Sequence, residues 1–212
     1  MTIRRSLAAQ GLLFIACLVF SLVIGSGMPD RVVIHWNING QPDGWGSKWF
    51  TLLMMPGTLL FMALLTVVLP KLSPKKFEME KSGETYGWAM FLVSVLMAGL
   101  HAVIVLKTAG ANFDIGRVMF AVLFAFFIFF GNVMGKVKRN YYMGIRTAWT
   151  LSSEAVWNAT HRAAGRLWVI GGLVGLVASL AGVPMIPLIV YLLILTLIPV
   201  VQSYFIYRRM AE

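Results

Sequence analysis

The sequence predicts an all-α fold: a polytopic membrane helix bundle of six transmembrane helices, with a small extracytoplasmic cap loop and an interfacial amphipathic cytoplasmic helix. Three observations carry this. Of 212 residues, 59% are hydrophobic and 12% charged, about half the charged share of a soluble domain. The apolar residues lie in solid runs of roughly 20, the length that crosses about 30 Å of hydrocarbon as a helix, where a β-barrel would show alternation. The basic residues fall in the segments between alternate runs, as the positive-inside rule requires.

The first run, Leu7 to Ile24, follows Arg4 and Arg5. Its length exceeds a signal-peptide core of roughly 7–15 residues, so it reads as a retained helix. Five further spans are predicted near 49–69, 86–107, 116–134, 167–183 and 185–207. With both termini cytoplasmic, fourteen of the eighteen Lys and Arg residues lie inside; Arg31, Lys48, Lys107 and Arg117 lie outside. Pro56, one to two turns into the second span, marks a kink. The 70–85 loop mixes Lys71, Lys75, Lys76 and Lys81 with Glu78, Glu80 and Glu84 and reads as a solvated charged face. The chain divides into an N-terminal region, 1–70, holding two spans and the outer loop 27–48, and a C-terminal region, 71–212, holding four spans and the inner loop 135–166.

The net charge of +10 does not imply nucleic acid, because the charge sits in inter-helix segments and forms no basic stripe with stacking aromatics. The single cysteine, Cys17, forms no intrachain disulfide and builds no thiolate metal site alone. No cofactor is expected.

The outer loop carries the first set of candidate residues. Val32 to Trp36 is β-branched and aromatic, hence extended. Asn39-Gly40 is a tight-turn dipeptide, and Pro42-Asp43-Gly44 reads as a second turn. The loop therefore folds as a cap whose chemically capable side chains are His35, Asn37, Asp43 and Lys48. His101, in the third span, is a fifth candidate, since a polar group at membrane depth is a functional candidate by default. One His and one Asp, even with His101 added, make a thin metal set beside the three or four ligands of a zinc site, and any metal stays undetermined. The plain alternative is that Asn37 and Asp43 satisfy loop backbone groups, Lys48 sits among headgroups and Trp36, Trp45 and Trp49 form an interfacial belt. His101 is then neutral and hydrogen-bonded to a neighbouring helix, and Asn132 and Gln202 are inter-helix glue.

The longest polar interruption, from Asn140 to Gly165, reads as a cytoplasmic working surface. Tyr141 and Tyr142 anchor at headgroups, and Gly144-Ile145-Arg146-Thr147 turns. Ser152 or Ser153 caps a helix with Glu154 in its first turn. Trp157, His161, Ala164 and Trp168 then share one face, and Glu154, Asn158, Arg162 and Arg166 the adjacent one. This amphipathic helix lies at the interface, with a bend at Gly165 before the fifth span. Arg146 is placed to pair with Glu154. Its candidate functional residues are Asn140, Gly144, Arg146, Thr147, Trp149, Glu154, Trp157, His161 and Arg162.

Gly144-Ile-Arg-Thr-Ala-Trp-Thr-Leu-Ser-Ser-Glu-Ala-Val-Trp157, followed by Thr160-His-Arg-Ala-Ala-Gly165, resembles the signature of the SdpI family of bacterial membrane proteins. The family pattern commonly has proline after the Arg-Thr pair; this chain has Ala148. The outer stretch from His35 to Lys48 is similar to the DUF1648 region that often precedes it. The resemblance implies immunity to a secreted, membrane-active antimicrobial peptide, with a signalling role in some members, and no catalytic residues. It implies residence in the bacterial cytoplasmic membrane, with the lipid bilayer, a peptide toxin and a cytoplasmic regulatory protein as partners.

Two other functions are weighed against this. A small transporter or channel suffers from spans short of buried charge and from the lack of an inverted repeat. A membrane-embedded metal-dependent enzyme would draw on His161 with Glu154 or Arg146, or on His35 with Asp43. Glu154 and His161, however, are two helical turns apart, about 10 Å along the axis, and no His-Glu-x-x-His motif is present. The sequence reading is therefore non-enzymatic.

Overall fold

The computed structural model describes residues 1–72 and 83–211. Of the charged face read at 70–85, residues 73–82 lie outside them. The chain runs α1 (Ile3–Gly25), β1 (Arg31–Trp36), β2 (Pro42–Ser47), α2 (Lys48–Leu72), α3 (Gly83–Thr108), α4 (Ile115–Met134), α5 (Ala148–Ser152), α6 (Glu154–Leu180) and α7 (Met185–Ala211). Among the described residues, six helices of 20 to 27 residues are long and apolar enough to cross a membrane, each spanning at least about 30 Å. Their outward faces are apolar: Leu12, Ile15, Phe61, Leu64, Val177 and Leu197 are all more than half exposed, as lipid contact requires.

Two packed groups form the bundle. Helices α1, α2 and α3 pack on one another, α6 packs between α4 and α7, and α3 against α4 joins the groups. Lipid supplies no hydrophobic drive between helices, so close packing and buried hydrogen bonds must hold them. Both are present. In the first group the buried Gln10 amide donates to Ser6 Oγ on its own helix and to Thr66 Oγ1 across on α2, each at 3.1 Å. In the second, the backbones of α4 and α6 nearly touch. A Cβ on Gly131 would stand 2.7 Å from the Gly165 carbonyl oxygen, and one on Gly165 would stand 2.7 Å from that of Gly131.

This contact corrects two expectations. Gly165 is not a bend, and residues 154–166 are not a separate interfacial helix. They are the first turns of α6, which runs unbroken from Glu154 to Leu180. The helix can extend past the apolar core because Arg162 and Arg166 stay exposed, while the missing Gly165 side chain serves approach to α4. Asn132 is not inter-helix glue either: its Nδ2 donates to Ile128 O, one turn back on its own helix, at 2.8 Å. Gln202 is exposed on α7.

Strands β1 and β2 form an antiparallel hairpin around Gly40, whose φ of 73° suits glycine. Val32 and Met28 seat it on Leu52 of α2 and Val105 of α3. Thr108 Oγ1, at the end of α3, donates to Val33 O at 3.2 Å. At the start of α3, Thr85 Oγ1 donates to Lys136 O at 3.4 Å, and Tyr142 OH reaches Leu72 O at 2.7 Å. The hairpin and the 136–153 segment therefore occupy opposite ends of the bundle.

Candidate functional site

At the hairpin end the geometry is set by two irregularities in strand pairing. Val33 pairs with Trp45, His35 with Gly44, and Trp36 with Pro42, so the register shifts on both sides of His35 and leaves Asp43 without an opposite residue. A bulge re-aims a side chain. Here it brings Asp43 Oδ1 to 2.5 Å from His35 Nδ1. The Pro42-Asp43-Gly44 turn expected from the sequence is instead the start of β2. Gly44 fits there because a Cβ would lie 2.9 Å from the His35 Cβ.

Asn37 behaves as a loop organiser: its Oδ1 accepts from the amides of Asn39 and Gln41 at 2.9 and 3.0 Å. Asp43 does not share that role, since its partner is the imidazole. Lys48 has partners within the protein. Its Nζ is tucked under the hairpin, donating to Met28 O and pairing with Asp30, both at 3.1 Å. His101 does not join them. It is buried inside the α1–α3 group, with Nε2 2.7 Å from Ser21 Oγ of α1, the neighbouring-helix bond expected of a membrane-depth imidazole. Among the described residues no three His, Cys, Asp or Glu side chains gather closely enough to hold a metal ion.

Sequence reasoning missed what faces the hairpin tip. Ile38, Asn39 and Gly40 border a cavity of about 240 Å³ whose other walls are Asp114, Arg117 and the α6–α7 turn at Gly182–Met185. Asp114 caps α4 by accepting from Arg117 N at 3.0 Å, and the Arg117 guanidinium lies against Gly182. Only the positive-inside exception at Arg117, a lone cation at the hairpin end of α4, hinted at it.

At the opposite end, residues 136–153 fold into a compact plug. Asn140, almost fully buried, uses its whole amide. Oδ1 accepts from Tyr142 N at 2.8 Å and Met143 N at 2.7 Å, and Nδ2 donates to Lys138 O and Met143 O. Gly144 has φ 113° and a Cβ there would strike His161 Nε2. His161 is fully buried, stacked on Trp157 at 4.0 Å. Nε2 accepts from Ile145 N at 3.0 Å, and Nδ1 lies 2.8 Å from Trp157 O. That pattern assigns a neutral ring protonated on Nδ1. Trp157 Nε1 in turn donates to Val137 O at 2.7 Å.

Thr147 caps α5 in a capping box with Thr150. Trp149 ties the plug to α7 through Ser203 Oγ at 2.9 Å and rings from Tyr204 and Tyr207. Ser153 caps α6. The structure thus buries Asn140, Trp157 and His161 together, with Gly144, Thr147 and Trp149 half-buried beside them, and leaves Arg146, Glu154 and Arg162 on the surface. Arg146 does not pair with Glu154; its guanidinium donates to Tyr141 O. The expected working surface is therefore in part a packed scaffold.

These two constructions coincide with two recognised regions. Residues 136–203 match the SdpI/YfhL protein family, and residues 12–60 match the domain of unknown function DUF1648. The chain is thus similar to the SdpI/YfhL family over 136–203 and to DUF1648 over 12–60. The SdpI/YfhL match opens at the plug and takes in α5, α6 and most of α7; the DUF1648 match runs from within α1 through the hairpin into α2. The chain is 27% identical over 168 residues to Immunity protein SdpI of Bacillus subtilis (strain 168), the match covering 76% of this chain and 76% of that one. No solved structure matches the chain.

Proposed function

We propose that this chain is a member of the SdpI/YfhL family and protects a bacterial cell against a secreted, membrane-active peptide by binding it at the hairpin end, without catalysis. The observation that carries this is the likeness to Immunity protein SdpI across most of both chains. The hairpin end supports it: a cap held to α2 and α3, an exposed imidazole–carboxylate pair and a cavity shared with α4 and the α6–α7 turn. In this proposal both termini and the plug face the cytoplasm, where the exposed Arg146 and Glu154 are available to a regulatory protein.

The test is protection. Sensitive cells expressing the chain should survive challenge with a membrane-active peptide. Asp43→Ala should lose most of that protection while accumulating normally, because an exposed ion pair contributes only about 0–1 kcal/mol to stability. Equal survival with and without the chain, across a panel of such peptides, defeats the proposal.

A further inference from the structure

A second site lies at the plug end, on the lipid-facing side of the α4–α6 contact. Lys136, Arg162 and Arg166 surround a groove of about 410 Å³ that Val169 and Ile170 continue toward the hydrocarbon. Arg162 and Arg166 are one helical turn apart on α6, so their guanidinium groups reach the same region. The floor is Gly131, Gly135 and Gly165, where the near contact of the two helix backbones closes the groove below. On the other face of α4, a second groove of about 340 Å³ shares Asn132 and Lys136 and is walled by Trp88, Leu92, Phe129 and Val133. Polar heads in the middle and an apolar channel on each side of one helix form the outline of a two-chain amphiphile.

The charge is as specific as the shape. No Asp or Glu lines either groove, and both ion pairs among the described residues, His35–Asp43 and Lys48–Asp30, lie at the hairpin end. Lys136, Arg162 and Arg166 are exposed, and none is in an ion pair among the described residues. Three cations without an ion-pair partner among the described residues, at the end of a membrane helix pair, attract a phosphate that carries net negative charge, and basic pockets between membrane helices bind anionic headgroups. A fully solvated basic face would lack the apolar channels; a site for a soluble anion would have no use for them.

We propose that these grooves hold one anionic phospholipid, its phosphate among Lys136, Arg162 and Arg166 and its acyl chains on either side of α4. This inference is independent of peptide protection.

The full chain, purified in neutral detergent, is offered equal amounts of phosphatidylglycerol and phosphatidylcholine with identical acyl chains, and retained lipid is counted by native mass spectrometry. Wild type should retain one phosphatidylglycerol with a preference on the order of tenfold. Lys136→Gln/Arg162→Gln/Arg166→Gln should reduce the preference to near unity. Arg4→Gln/Arg5→Gln/Arg209→Gln, which removes the same charge from the same end, should keep it. Equal retention of the two lipids by wild type overturns the proposal without recourse to any variant. So does equal loss in both triple variants, which would make the effect a general field. Displacement of the lipid by millimolar inorganic phosphate or by an acidic peptide would reassign the cations to a soluble anion or a protein, and equally overturns it.

Discussion

Gly144 and His161 form a close contact that a substitution on either side would disturb. An alanine at 144 would need the left-handed backbone region and would place its Cβ against the imidazole. Backbone strain of that kind costs about 1–3 kcal/mol, before any displacement of the ring. Gly144→Ala should therefore lower the apparent Tm in detergent clearly, and His161→Phe should do the same by leaving the buried Ile145 amide unpaired, at about 1–3 kcal/mol. A wild-type Tm for both variants would show that the plug does not depend on this contact. Asn140→Ala removes four hydrogen bonds at once and should loosen residues 138–143, read as faster amide exchange at Tyr142 and Met143. These residues were legible as a motif because polar and aromatic types recur there at helical spacing. Their burial was not legible: a histidine, an asparagine and two tryptophans between helices look like a surface until the chain is known to fold back on α4, α6 and α7.

The helices themselves could be read from the sequence because apolar runs and lipid thickness set their lengths, with errors of a few residues at the ends. What the runs concealed was continuity and contact. Arg162, Asn158 and Glu154 dilute the apolar pattern, so α6 appeared to begin near residue 167, although a helix leaving the hydrocarbon needs no break. Gly165 was read by its flexibility when its role is its size, a distinction that depends on α4 and therefore on tertiary structure. Gly165→Val should force α4 and α6 apart against a carbonyl oxygen that cannot yield, costing at least the roughly 1–3 kcal/mol typical of overpacking. Gly57→Ala on α2, where nothing lies within 4 Å of the added carbon, should leave the apparent Tm within about 0.5 kcal/mol equivalent of wild type. Equal melting of the two variants would mean that the glycine contact is not what joins α4 to α6. In the hairpin, the β-branched and aromatic run at Val32–Trp36 and the Asn39-Gly40 turn were legible, but the bulge at Asp43 was not. A bulge is a mismatch between two strands, and neither strand carries it alone.

At the scale of the whole molecule, the two family regions put their distinctive parts at opposite ends of one bundle, and the direction of that axis decides which end meets a secreted peptide. Charge sets the direction. The hairpin end carries Arg31, Lys48, Lys107 and Arg117, and of these Lys48 is paired with Asp30 while Lys107 donates to Phe113 O at 2.6 Å. The plug end carries Arg4, Arg5, Lys136, Lys138, Arg139, Arg162, Arg166, Arg208 and Arg209, a far larger load close to the helix ends. The positive-inside rule predicts that such segments stay on the cytoplasmic side. Two exposed positions can report it, Asn39 at the hairpin tip and Lys138 in the plug. Cys17 is buried in α1, so it adds little background. In intact cells a membrane-impermeant maleimide should label Asn39→Cys and spare Lys138→Cys, and permeabilisation should make Lys138→Cys react. The reverse pattern would turn the hairpin toward the cytoplasm, and an extracellular peptide could no longer reach the imidazole–carboxylate pair without first crossing the membrane.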